Sequence, residues 1–226
     1  MYRITAIISA YNEEDNIKTV LKSIYQNKFI NEIIVVDDGS IDKTLDKIQL
    51  FPNIKIIKHK ANLGKAQAIK SGVLQSSNNA ILLLDADIPN ITSQNLENII
   101  RPVIHNHIDV TIALIGNTIQ RLIKTDILSG IKCTKKQHII NVINKYHPHG
   151  YEFEILFNKY ILDNNLTFCF IDWSNSFFKY STNKYGVLPG LKRILEKRVN
   201  IYKRIGIINF YKQYLKMFWR KKNFIS

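Results

Sequence analysis

The sequence predicts an α/β fold, a mostly parallel sheet with helices packed on it. Two observations carry this. Short apolar runs that read as strands alternate four times with stretches of helical periodicity, the pattern of right-handed βαβ units. The strongest run, Ala80 to Leu84, is five apolar residues without a polar break, as expected of a strand buried on both faces. The 226 residues suffice for one sizeable domain, or one domain plus an appendage. Such a chain buries roughly 70% of its unfolded surface, so it needs no staples.

Strands are expected at 4–9, 32–36, 54–58, 80–84 and 107–115. The intervening helices are expected at 13–26, 42–50, 64–75 and 96–104. Ile17, Val20, Leu21 and Ile24 give the first helix its apolar face, and Pro52 stops the second. Beyond residue 116 the alternation loosens. Helices are expected at 135–144, 151–164, 185–198 and 201–219, with a strand at 166–172. No internal repeat is visible.

The charge is unevenly placed. The chain carries +14, and residues 179–226 hold 13 Lys and Arg against one acid, Glu196. The body is nearly neutral. This predicts a body over 1–178 and a basic helical tail over 179–226, with an anionic partner for the tail. Within the tail, Ile201, Ile205, Ile208, Leu215 and Trp219 stand near helical spacing among basic residues. That pattern suits core packing, a homodimer contact or an anionic membrane surface. No aromatic-and-basic motif points to nucleic acid. Cys133 and Cys169 form no CxxC pair, which fits a reducing cytoplasm and argues against structural zinc. The N-terminal apolar run is too short for a signal peptide, and no run is long enough to cross a membrane.

The chemistry centres on Ile81 to Pro89, where Asp85 and Asp87 end the buried strand. Ligands bind at the carboxyl edge of open α/β sheets. Two neighbouring carboxylates there suit Mg²⁺ or Mn²⁺, held together with substrate phosphates; a plain polar turn is the alternative. Ser9 to Glu14 follow the first strand, where Tyr11 can stack on a base. Asp37 to Ser40 follow the second, where Asp can accept from a base or ribose. Asn62 to Ala66 open the third helix, where Lys65 can meet a diphosphate. The spacing is not that of a P-loop, and GxGxxG is absent. The two His-x-His pairs, at 105/107 and 147/149, read as loop histidines.

In that order and spacing, ISAYNEEDNI, VVDDGSIDKT, NLGKAQAIKSG and LLLDADIP resemble family 2 glycosyltransferases of the GT-A fold. Asp126 to Lys132 and Gly150 to Glu154 resemble the following segments of dolichol- or polyprenyl-phosphate sugar transferases. The resemblance implies a nucleotide-binding half over 1–115, an acceptor half over 116–178, and a UDP- or GDP-sugar donor. It implies that Ser9, Tyr11, Glu13, Val36 and Asp38 line the nucleoside pocket. Asp85, Ala86 and Asp87 would hold ribose, metal and diphosphate, and Lys132 stands where the family has an Arg. It further implies metal-dependent, inverting transfer to a lipid-linked or glycan acceptor. Asp87, Glu152 and Asp126 are the expected catalytic residues, with Glu154 and Asp172 as further candidate bases. The expected setting is the cytoplasmic face of a membrane, with the protein peripheral to it. A basic binding module that keeps the fold without chemistry is the alternative reading.

Overall fold

The computed structural model describes residues 3–25, 27–88, 90–105, 107–115, 126–173 and 187–222. Pro89, the proposed boundary at 178/179 and the start of the helix expected at 185 lie outside these residues. Seven strands among them form one sheet: β1 (Ile4–Ala10), β2 (Glu32–Asp37), β3 (Lys55–Lys58), β4 (Ala80–Asp85), β5 (Val110–Leu114), β6 (Lys132–Lys135) and β7 (Phe168–Asp172). Their order is β3-β2-β1-β4-β6-β5-β7. Only β6 runs antiparallel, between β4 and β5, so the other six strands share one carboxyl edge.

The helices are α1 (Ile17–Ile24), α2 (Thr44–Gln49), α3 (Lys65–Gln75), α4 (Ser93–Ile104), α5 (Lys136–Tyr146), α6 (Phe153–Asp163), α7 (Val187–Ile205) and α8 (Ile207–Arg220). Strand side chains alternate between two cores. Ile4, Ala6 and Ile8 face one core with α1 and α4. Ile7 faces the other, with α3, α5, α6, and Ile201 and Met217 of the two last helices. Each such buried Ile or Leu contributes about 1.5–3 kcal/mol.

Four sequence expectations need correction. The first helix begins at Ile17, not Glu13, because the chain ahead of it is tied to the loop after β2. Glu13 N–H donates to Thr44 Oγ1 and Glu14 N–H to Asp42 Oδ2. α4 begins three residues early, at Ser93, because Thr92 and Asn95 form a reciprocal capping box. β6 was not foreseen: Lys-Cys-Thr-Lys has no strand-like apolar pattern, yet its first three residues are buried between two neighbours. The expected break near residues 199–200 lies instead at Gly206, whose φ of 80° ends α7 and opens α8.

The tail helices pack on the body. Gln213 Nε2 donates to Ile155 O, and Lys222 N–H to Phe168 O. Arg204 donates to Tyr146 O and Arg220 to Leu162 O. Both guanidiniums thus meet carbonyls in the last turns of α5 and α6, where the helix dipole favours a cation. Among the described residues no helix is long and apolar enough to cross a membrane.

Candidate active site

The strand order reverses direction between β1 and β4, and a crevice opens at such a switch point outside the carboxyl ends. The register places Ser9 beside both Val36 and Asp85 across three strands. Four of the residues expected to bind the donor therefore sit in or next to one row, Ala86 following Asp85 directly. Val36 and Ala86 are buried, so their contribution is backbone and shape. Tyr11 is 36% exposed at the rim, and the Glu13 carboxylate accepts from Asn16 Nδ2.

Side chains stitch the loops after β1 and β2 together. Asn12 N–H donates to Ser40 Oγ, and Ile41 N–H returns to Asn12 Oδ1. Asp38 is buried and organises a third loop. Its Oδ1 accepts from Leu63 N–H at 3.0 Å and its Oδ2 from Gly64 N–H at 2.8 Å. His59 Nδ1 lies 2.6 Å from Asp38 Oδ1, and His59 Nε2 reaches Ser71 on α3. Asp38 thus clamps the chain that delivers Lys65. Asp38→Ala is expected to orphan two N–H groups and to lower stability by about 1–3 kcal/mol. Denaturant unfolding checks this, with nucleotide affinity expected to fall on the same samples. An unchanged midpoint would mean that other contacts hold the 61–64 loop. Asp37 also lies at this edge, fully buried, with Oδ1 accepting from Ser40 N–H and Oδ2 without a hydrogen-bond partner.

The core of the site is a cluster of opposite charges. Lys65 Nζ lies 2.5 Å from Asp85 Oδ1 and 2.6 Å from Glu154 Oε1. Burial works against the Lys65 cation, but the two carboxylates outweigh it and hold its pKa above the ordinary lysine range. Lys132 is buried on β6 and donates to Ser129 O. Burial, with Lys65 nearby, pushes its ammonium down to about 8 against the pull of Glu154, Asp126 and Asp85. Asp126 is buried and accepts from Leu128 N–H at 3.1 Å, and burial raises its pKa. Asn158 Nδ2 donates to Ile127 O and steadies the same turn.

Gly130 closes the cluster. A Cβ there would stand 2.4 Å from Lys65 Nζ and 2.5 Å from Asp85 Oδ2, so only glycine lets the turn approach the pair.

The structure thus gathers Asp85, Lys65, Lys132, Glu154 and Asp126, with half-buried Asp87 two residues past Asp85. It seats the other two candidate acids differently. Glu152 caps its own turn through His149 N–H and faces Arg204 at 3.6 Å. Asp172 is exposed at the end of β7, three strands from β4, or about 14 Å. Sequence reading passed over His59, and it quoted Asn12, Ser40 and Gly130 inside its motifs without giving them a role.

Mg²⁺ or Mn²⁺ fits the donors at the end of β4. Among the described residues no group of three or more His, Cys, Asp or Glu forms a closed cage. Asp85 and Asp87 offer two hard oxygen donors, which suits an ion that takes its remaining ligands from phosphate and water.

An open α/β sheet with a carboxylate pair at its switch point has its ligand crevice at that carboxyl edge. Residues 5–169 match the model for Glycosyl transferase family 2, and the chain belongs to that family, with the GT-A fold. It is similar to the dolichyl-phosphate beta-glucosyltransferase of Dictyostelium discoideum, at 35% identity over 99 residues, 37% of this chain and 30% of the relative. It is also similar to the poly-beta-1,6-N-acetyl-D-glucosamine synthase of Staphylococcus aureus, at 35% identity over 88 residues, 37% of this chain and 21% of the relative. The match thus spans less than a third of either relative's length. In fold it is similar to glucosyl-3-phosphoglycerate synthase from Mycobacterium tuberculosis, solved in complex with Mn²⁺ and UDP-glucose. The TM-score is 0.69 at 18% identity, covering 91% of this chain and 80% of that one.

Proposed function

We propose that this chain is a glycosyltransferase that moves a sugar from a UDP- or GDP-sugar to a polyprenyl phosphate or another lipid-linked acceptor at the cytoplasmic face of a membrane. The observation that carries the reading is the row of Ser9, Val36 and Asp85 at the β1–β4 switch point, beside the buried charge cluster. Asp85 and Asp87 would hold Mg²⁺ or Mn²⁺, which neutralises charge developing on the leaving diphosphate. Tyr11 and the Asp38-clamped loop would hold the nucleoside, and Lys65 and Lys132 would bring cations to phosphate oxygens. The acceptor oxygen bonds to the anomeric carbon as the bond to the diphosphate breaks. One displacement inverts that carbon, and the nucleoside diphosphate leaves with the electron pair.

The pairing of Glu154 favours an acceptor that is already anionic, because Lys65 engages its carboxylate at 2.6 Å. A hydroxyl acceptor needs a base to take its proton; a phosphate acceptor does not. The dolichyl-phosphate transferase among the relatives points the same way.

The test offers UDP- and GDP-sugars with Mn²⁺ or Mg²⁺ to a polyprenyl phosphate, a soluble glycan and phosphoglycerate in parallel. Product and nucleoside diphosphate are expected to accumulate with the lipid phosphate. Transfer to the glycan alone would overturn the acceptor assignment, and no release from any donor would overturn the enzyme reading.

A further inference from the structure

The two last helices each present an apolar stripe that the fold leaves in solvent. On α8, Gln213 and Met217 face the body. On its other side Ile208, Tyr211, Leu215 and Trp219 recur every three or four residues and are 66, 57, 55 and 79% exposed. Lys212 and Lys216 run along one flank of that stripe, both exposed. α7 also exposes Leu188, Leu195 and Val199 on one side, but its flank is mixed in charge, with Lys203 and an ion pair of Lys192 with Glu196 at 4.0 Å. Single exposed apolar side chains are ordinary, but a continuous stripe on a soluble surface marks an interface.

The charge selects the occupant. A second copy docked face to face by a two-fold axis would set one positive flank against another, since Glu196 is the single acid in residues 179–226. A nucleic acid would bring phosphates to the lysines but would also lay them over Ile208 and Leu215. An anionic bilayer satisfies both parts, taking the apolar stripe into the acyl boundary and the ammonium groups among the headgroups. We propose that α8 forms a docking face for an anionic lipid surface, with Ile208, Tyr211, Leu215 and Trp219 inserted and Lys212 and Lys216 at headgroup level. The face rests on the lipid-acceptor reading for its purpose, because it would bring the body to an acceptor that does not leave the membrane.

Flotation of the full chain tests it, using vesicles of phosphatidylcholine with and without phosphatidylglycerol. The chain is expected to float with the anionic vesicles only, and the bound fraction to fall as salt rises. Leu215→Ser with Trp219→Ser is expected to lower partitioning at least about tenfold. Lys212→Glu with Lys216→Glu is expected to do the same on anionic vesicles. These side chains are solvent-exposed, so circular dichroism and the thermal midpoint should hold. Failure of the unaltered chain to float, or variants that float as well as it does, would overturn the docking face. So would a dimer in sedimentation that the Leu215/Trp219 variant dissolves while vesicle binding persists. A chain that floats yet never glycosylates a lipid phosphate refutes the acceptor reading alone. A chain that glycosylates detergent-dispersed lipid phosphate but does not float refutes the docking face alone.

Discussion

Gly130→Ala is expected to lower kcat/KM by about a hundredfold while the protein stays folded. The added Cβ would meet Lys65 Nζ at 2.4 Å and the two Asp85 carboxylate oxygens at 2.5 and 2.7 Å. All three atoms are side-chain ends, so the methyl is accommodated by displacing the ion pair, not by breaking the sheet. On the proposed function, a carboxylate moved by an ångström would no longer meet metal and diphosphate in line, and a shift of that size costs about a hundredfold in rate. Steady-state kinetics beside a thermal melt check it. Full activity in the variant would show that the Lys65–Asp85 geometry is irrelevant to turnover.

Asp87→Ala is expected to remove transfer, by about a thousandfold or more, because a divalent Lewis acid contributes several kcal/mol to such a step. Excess EDTA should do the same to the unaltered chain, and Mn²⁺ should restore that sample but not the variant. Both samples should melt at the temperature of the untreated protein. Turnover that persists in EDTA would rule out the metal role of this pair.

Much of the site was legible because a buried parallel strand announces itself and its polar end falls at a known edge. Ala80–Leu84 followed by Asp85 and Asp87 needed no pairing information to be placed. The cluster around Asp85 was not legible in the same way. Lys65 and Glu154 are 89 positions apart and meet only in the folded chain, in which β6 lies beside β4. β6 itself carries two lysines in four residues, and its pattern reads as surface. The helix ends at Thr92 and Gly206 did carry local signals, a side-chain oxygen ahead of an apolar face and a glycine in a basic run. Apolar periodicity outweighed both signals, and the boundaries slipped by three to seven residues.

Lys65 gives this edge of the molecule its own counter-ion. Metal centres whose ligands are anions without internal partners collapse when the ion is withheld, since the repulsion between ligands is then uncompensated. Here one ammonium bridges two carboxylates, and a second cation, Lys132, is buried beside them. On the proposed function, folding would therefore not depend on metal supply. The edge would keep its finished shape whether or not an ion and a diphosphate are bound, because its anions are already answered from within the chain.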